Sequence, residues 1–76
     1  MTPIQCRAGR AIANLSQNTL SARVGISRKT LILFETANRY LHPNHVQALR
    51  SELERSGVEM IDGDRPGVRM AAEKAA

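Results

Sequence analysis

Apolar positions along the first part of the chain recur with helical spacing, and the period then changes. Ile4, Ala8, Ala11, Ile12 and Leu15 fall mostly three or four apart, which predicts a first helix with one apolar stripe, ending near Ala13 and Asn14. Its start reads Thr2-Pro3-Ile4-Gln5: a hydroxyl N-cap, proline at the first helical position and glutamine three residues after the cap. That is a capping box, in which two otherwise unpaired backbone donors are satisfied reciprocally. Leu20 and Val24, with small Ser21 and Ala22 between them, predict a second helix from Gln17 to about Val24, capped by Ser16. Gly25 permits the positive φ that a helix end often needs. Ile26 is the apolar residue of the turn, and Ser27 caps a third helix from Arg28 to Glu35 or Thr36. After a loop over residues 37–43, Asn44 is expected to cap a fourth helix, with Gln47 three residues on and Val46, Leu49 and Leu53 repeating inward until Gly57.

Beyond Gly57 the pattern is no longer helical. Val58-Glu59-Met60-Ile61 and Val68-Arg69-Met70 read as short strands around a turn-rich connector, residues 62–67. They form a small hairpin or a pair of extended segments. Two strands alone are marginal in water, so they either pack on the helices or pair with the same segment of a second subunit. Residues 71–76 read as a frayed or weakly helical tail. The expected fold is mainly α: four to five helices and a short C-terminal β-hairpin or dimer-pairing strand. It divides into residues 1–56 and a β extension, 57–76, for dimerisation.

Length and composition narrow this picture. A chain of 76 residues buries only about 60% of the surface its unfolded form exposes, so its core is thin. The single cysteine, Cys6, allows no intramolecular disulfide and suits a reducing cytosol. No apolar run approaches the ~18 residues of a membrane span, and a signal-peptide pattern is missing. The expectation is a cytoplasmic protein with no membrane partner. Charge is uneven: residues 1–50 carry seven basic side chains and one acid, Glu35, whereas residues 51–76 carry four basic and six acidic ones. A basic front and a mildly acidic end suggest a polyanion-binding face and a separate face for something else.

Catalytic and metal chemistry find no support in the pattern. There is no nucleophile–base arrangement, glycine-rich phosphate loop or paired carboxylate, so neither an enzyme nor a cofactor is expected. His42 and His45 lack a third ligand, and Asp62-Gly63-Asp64 reads as a turn rather than a calcium loop.

Residues 17–36, QNTLSARVGISRKTLILFET, have the layout of a helix-turn-helix: Leu20, Val24, Ile26, Leu31 and Phe34 apolar, Gly25 at the reversal and Ser27 as the outgoing cap. Here the sequence resembles the Xre/Cro-like family of helix-turn-helix transcriptional regulators, with the lambda-repressor-like fold. The resemblance covers residues 3 to about 56. It rests on LSQNTLSARVGISRKTL, similar to the family's core, while GVEMIDGDRPGVRM looks like a C-terminal extension of a small bacterial branch. Ser21 stands in place of the usual alanine, and Ala37 where many members have glycine.

The resemblance implies a repressor-like regulator that binds an inverted-repeat double-stranded DNA operator as a homodimer, with helix 28–35 in the major groove. Ser27, Arg28, Lys29, Thr30, Ile32 and Leu33 would then face DNA. Arg28 and Lys29 suit guanine or phosphate, and Ile32 and Leu33 suit thymine methyl groups. The bland reading is that Ile32 or Leu33 packs on the loop holding Tyr40 and Leu41. Gln17 would contact phosphate and brace Arg28, and Asn38 and Arg39 would touch the backbone, unless Arg39 is only a solvated loop charge. Arg10 and Glu35 match a structural ion pair of the family. Leu49, Leu53, Val58, Met60, Ile61 and Val68 are expected to form the dimer surface, or else to close the monomer's core. An alternative function is an antitoxin-like protein whose acidic C-terminal part sequesters a protein partner.

Overall fold

The computed structural model describes residues 1–71. It contains four helices, α1 (Pro3–Ala13), α2 (Gln17–Val24), α3 (Arg28–Ala37) and α4 (Pro43–Arg55), followed by strands β1 (Val58–Ile61) and β2 (Gly67–Met70). The chain is mainly α with one two-stranded antiparallel sheet. Among the described residues, no helix is long and apolar enough to cross a membrane.

Local chemistry explains most helix ends. Thr2 and Gln5 form the capping box: Gln5 N–H donates to Thr2 Oγ1 at 3.1 Å and Thr2 N–H donates to Gln5 Oε1 at 2.8 Å. Ser16 and Ser27 each accept a backbone N–H three residues ahead, from Thr19 and Thr30, at 3.0 Å. Gly25 closes α2 at φ 86°, a conformation costly for any side chain. α3 runs on to Ala37, because Asn38 takes the left-handed cap at φ 50°, which asparagine tolerates. α4 starts earlier than expected. Its N-cap is His42, whose Nδ1 accepts from Asn44 N–H at 3.0 Å, not Asn44. Pro43 fits the first helical position, where its missing N–H is no loss, and this sets the start. Gln47 makes only a long bond, 3.4 Å, to Ser51 Oγ.

The core gathers Cys6, Leu20, Leu31, Phe34, Leu41, Leu49, Leu53, Val58 and Met60. Here α1 corrects the expected stripe. Its buried residues are Gln5, Cys6 and Gly9, whereas Ile4 is 67% exposed and Ala11 is exposed. The two misleading positions have tertiary causes. The Gln5 amide reaches over to the hairpin and donates to the carbonyls of Ile61 (2.9 Å) and Gly67 (3.0 Å). Gly9 lets the second half of the chain approach: a Cβ there would lie 3.3 Å from Leu53 Cδ1 and 3.5 Å from both Val58 Cγ1 and Met60 Cε. Gly9→Ala should therefore be near neutral, since the helix gains about 1 kcal/mol while Leu53 must yield. Gly9→Val should lose about 1–3 kcal/mol by overpacking. Urea midpoints of the two variants check this.

The hairpin settles on the helices of its own chain. Val58 pairs with Met70 and Met60 with Val68, and the buried Val58 and Met60 share the core with Leu49 and Leu53. One hydrophobic cluster thus crosses the boundary drawn at residues 56 and 57. The frayed or helical tail expected at residues 71–76 lies, beyond Ala71, outside the described residues.

Candidate nucleic-acid interface

α3 has two distinct sides. Leu31, Phe34 and Glu35 are its buried residues. At 100° per residue, Arg28, Lys29, Ile32, Leu33 and Thr36 fall together on the roughly opposite side. Arg28, Lys29 and Thr36 are exposed, while Thr30, Ile32 and Leu33 are half-buried. Ile32 and Leu33 are not among the half-buried residues packed on the core. Ser27 is exposed but locally engaged, capping α3 and donating to Thr30 Oγ1 at 2.7 Å. Thr36, four residues past Ile32 and eight past Arg28, belongs to this stripe although its type gave no signal. Its hydroxyl donates to the Ile32 carbonyl at 2.7 Å. Asn38 and Arg39, both exposed, follow directly at the helix end.

Glu35 anchors this helix from behind. Its side chain has no accessible surface, and Arg10 grips it with two parallel bonds, Nε to Oε2 and Nη2 to Oε1, both 2.8 Å. Cys6 Sγ donates to Oε2 at 3.1 Å and Gln17 Nε2 to Oε1 at 3.2 Å. Arg10 Nη1 also donates to the Leu15 carbonyl at 3.1 Å. One carboxylate therefore joins α1, the first residue of α2 and α3. The side-chain amide N–H of Gln17 is engaged here, and no hydrogen bond joins Gln17 to Arg28, which differs from the expected brace. Burial alone would raise the Glu35 carboxyl, but the bonds from Arg10, Cys6 and Gln17 outweigh it and hold it below the usual carboxylate range. Burial, then the bond to Glu35, pushes the Cys6 thiol far up, so it stays protonated.

A carboxyl depressed in the folded state stabilises fully above its unfolded value, near 4.5, and loses that contribution as pH falls toward its folded value. The melting temperature should thus drop as pH falls below about 5, and Glu35→Gln should show a flatter profile there while being less stable near neutrality.

The remaining charges sort into two groups. Glu52, at the margin of burial, takes Arg23 at 3.3 Å and Arg55 at 2.9 Å. Arg50 holds Asp62 at 2.8 Å and Glu54 at 3.2 Å, and Arg69 holds Glu59 at 2.8 Å. With Arg10–Glu35, these pairs engage every described acid except Asp64. The described cations left without a carboxylate within 4.0 Å are Arg7, Arg28, Lys29, Arg39 and Arg65. Arg7 lines a groove of ≈ 290 Å³ between the start of α1 and the end of α3, with Ile4, Thr36 and Asn38. Glu52 as a link between α2 and α4 had no local signature, since its partner Arg23 lies far away in sequence.

Most of the expected dimer residues are not at the surface. Leu49 and Leu53 have zero exposure, and Val58 and Met60 are buried, so these four close the core of the single chain. Of the two expectations for these four, this is the second, the closing of the core; the hairpin turns their apolar side onto α1 and α4. Ile61 and Val68 remain half-buried. Among the described residues, no group of three His, Cys, Asp or Glu side chains could hold a metal ion. A scan of known protein families finds no match to this chain, and a search of curated proteins finds none either.

Proposed function

We propose that this chain is a helix-turn-helix transcriptional regulator that binds a double-stranded DNA operator as a homodimer, with α3 in the major groove. One observation carries the reading: the outward stripe of α3 opens with Arg28 and Lys29, exposed and without any carboxylate partner, in a chain that pairs most of its other arginines. Dimensions agree. A helix with side chains is about 10–12 Å across, and the major groove is about 12 Å wide. The three-residue turn over residues 25–27 joins α2 to α3, and Gln17, the first residue of α2, bonds Glu35 on α3. Leu31 and Phe34 anchor the inner side, which leaves the outer side available to base edges. Ile32 and Leu33, half-buried and off the core, suit thymine methyl groups. A two-fold pair would read half-sites about 34 Å apart and act by occupying a promoter.

The antitoxin-like alternative relies on free acidic groups at the C-terminal end. Glu52, Glu54, Glu59 and Asp62 are instead neutralised within the chain, which disfavours it.

The test is fluorescence anisotropy of the protein on its own upstream DNA and on scrambled DNA across a salt series. Specific binding should weaken with a log–log slope of roughly −4 per protomer, because each described protomer offers at most five unpaired cations at about 0.9 per phosphate contact. Equal affinity for the scrambled duplex would defeat the proposal.

A further inference from the structure

We infer that Arg7, in the first half of α1, is a phosphate-binding residue that holds the DNA strand passing the end of α3, across the groove between the two helices. The inference deepens the proposed function and rests on its placement of α3 in the major groove.

The contact between α1 and α3 fixes where Arg7 stands. Arg10 on α1 bonds Glu35 on α3. About one turn back along α1, Arg7 lines the groove of ≈ 290 Å³ with Thr36 and Asn38, which lie beyond Glu35. The two helices therefore run in opposite senses along this contact, and the start of α1 borders the end of α3. Residues three apart share a side of a helix, so Arg7 and Arg10 both look toward α3. Only Arg10 finds a carboxylate there. Arg7 is exposed, and no described carboxylate lies within 4.0 Å of it.

Thr36 ties this groove to the outward stripe. It is exposed and lies eight residues past Arg28, about 12 Å along the helix axis. In a docked helix-turn-helix the first residues of the recognition helix meet base edges, which leaves its far end to the phosphate backbone. The groove at that end suits an anion. Arg7 brings a guanidinium whose N–H fork matches phosphate oxygens, and Asn38 adds a side-chain amide from the facing wall. The Thr36 hydroxyl is already engaged as a donor to the Ile32 carbonyl. Ile4, 67% exposed on the α1 wall, gives the groove an apolar lip suited to a deoxyribose. The Glu35 carboxylate does not repel an anion here, since its side chain has no accessible surface and Arg10 covers it. A contact of this kind sets register and affinity without reading sequence.

The experiment compares the full chain with Arg7→Ala and Arg7→Lys on its own upstream DNA and on scrambled DNA. Arg7 is exposed and unpaired, so thermal melts of the three proteins should coincide. At about 0.1 M salt Arg7→Ala should bind both duplexes about eightfold more weakly, with a log–log slope shallower by about 0.9, the value for one phosphate contact. Arg7→Lys keeps the charge and should keep the slope. Ethylation interference reads the position: ethylating one phosphate in each half-site should hinder the wild type and no longer hinder Arg7→Ala. Arg69→Ala loses the same charge from a group already held by Glu59, and should leave that phosphate as important as before. An Arg7→Ala protein with wild-type affinity, slope and interference pattern overturns the inference while the operator reading stands. So does a slope change that Arg69→Ala reproduces without loss of any one phosphate, because Arg7 would then be only diffuse charge. A wild type that treats operator and scrambled DNA alike removes the operator reading instead. The slopes on the scrambled duplex then decide Arg7: a shallower slope for Arg7→Ala than for Arg69→Ala supports the contact, and equal slopes overturn it.

Discussion

Arg10→Ala should lower the melting temperature by more than about 12 °C. Removing one partner of a buried ion pair costs about 3–5 kcal/mol, and each kcal/mol moves the midpoint of a domain this size by about 4–8 °C. The cost arises at the residue left behind. Glu35 has no accessible side-chain surface, and the arginine supplies two of its four hydrogen bonds as well as its counter-charge. The Leu15 carbonyl loses its arginine donor as well. A domain of 76 residues has a total stability of only about 4–11 kcal/mol, so a large share of it rests on this contact. Arg10→Lys keeps the charge but not the two-bond grip, and should fall between. Glu35→Gln removes the buried charge itself and should be the mildest of the three near pH 7. Thermal melts followed by circular dichroism measure all of them. An Arg10→Ala protein melting with the wild type would mean that Glu35 finds water once the arginine is gone.

Arg28→Ala should do the opposite: leave the melt unchanged and weaken operator binding. Its side chain is exposed and touches no carboxylate, so the fold has nothing to lose. A two-bond contact to guanine is worth about 1–3 kcal/mol, or roughly five- to 150-fold in affinity, with relaxed preference at one base pair. Lys29→Ala should weaken specific and scrambled DNA together and reduce the salt slope by about 1, if it meets phosphate. Arg50→Ala is the control. It removes the same charge from the chain, but from a group already holding Asp62 and Glu54, so affinity should barely change. Equal losses for Arg28→Ala and Arg50→Ala would show that only net charge matters.

What the sequence disclosed followed from range. Thr2, Ser16 and Ser27 cap helices through atoms three residues away, and Gly25 needs only its own φ, so these were legible. Leu31 and Phe34 against Arg28 and Lys29 were legible too, because periodicity alone divides the two sides of α3. The face of α1 was not. Gln5 is buried because carbonyls more than fifty residues away accept its amide, and Gly9 because Leu53 lies against it. Reading by residue type favoured Ile4, whose surroundings leave it in solvent. The Arg10–Glu35 pair came from the family resemblance and not from spacing. For Leu49, Leu53, Val58 and Met60 the pattern leaves both a dimer surface and a closed core open, because apolar periodicity cannot tell a core from an interface in so small a chain.

The position of Val58 and Met60 in the core bears on how the protein is made. Leu53 lies against both Gly9 and the hairpin, so the last large piece of the core is synthesised only after all four helices. While the ribosome still holds residues 58–60, the emerged helices lack the lid over Leu49 and Leu53. A nascent chain stalled before Val58 should therefore recruit chaperones and be cleaved readily by protease, and one released past Met70 should resist both.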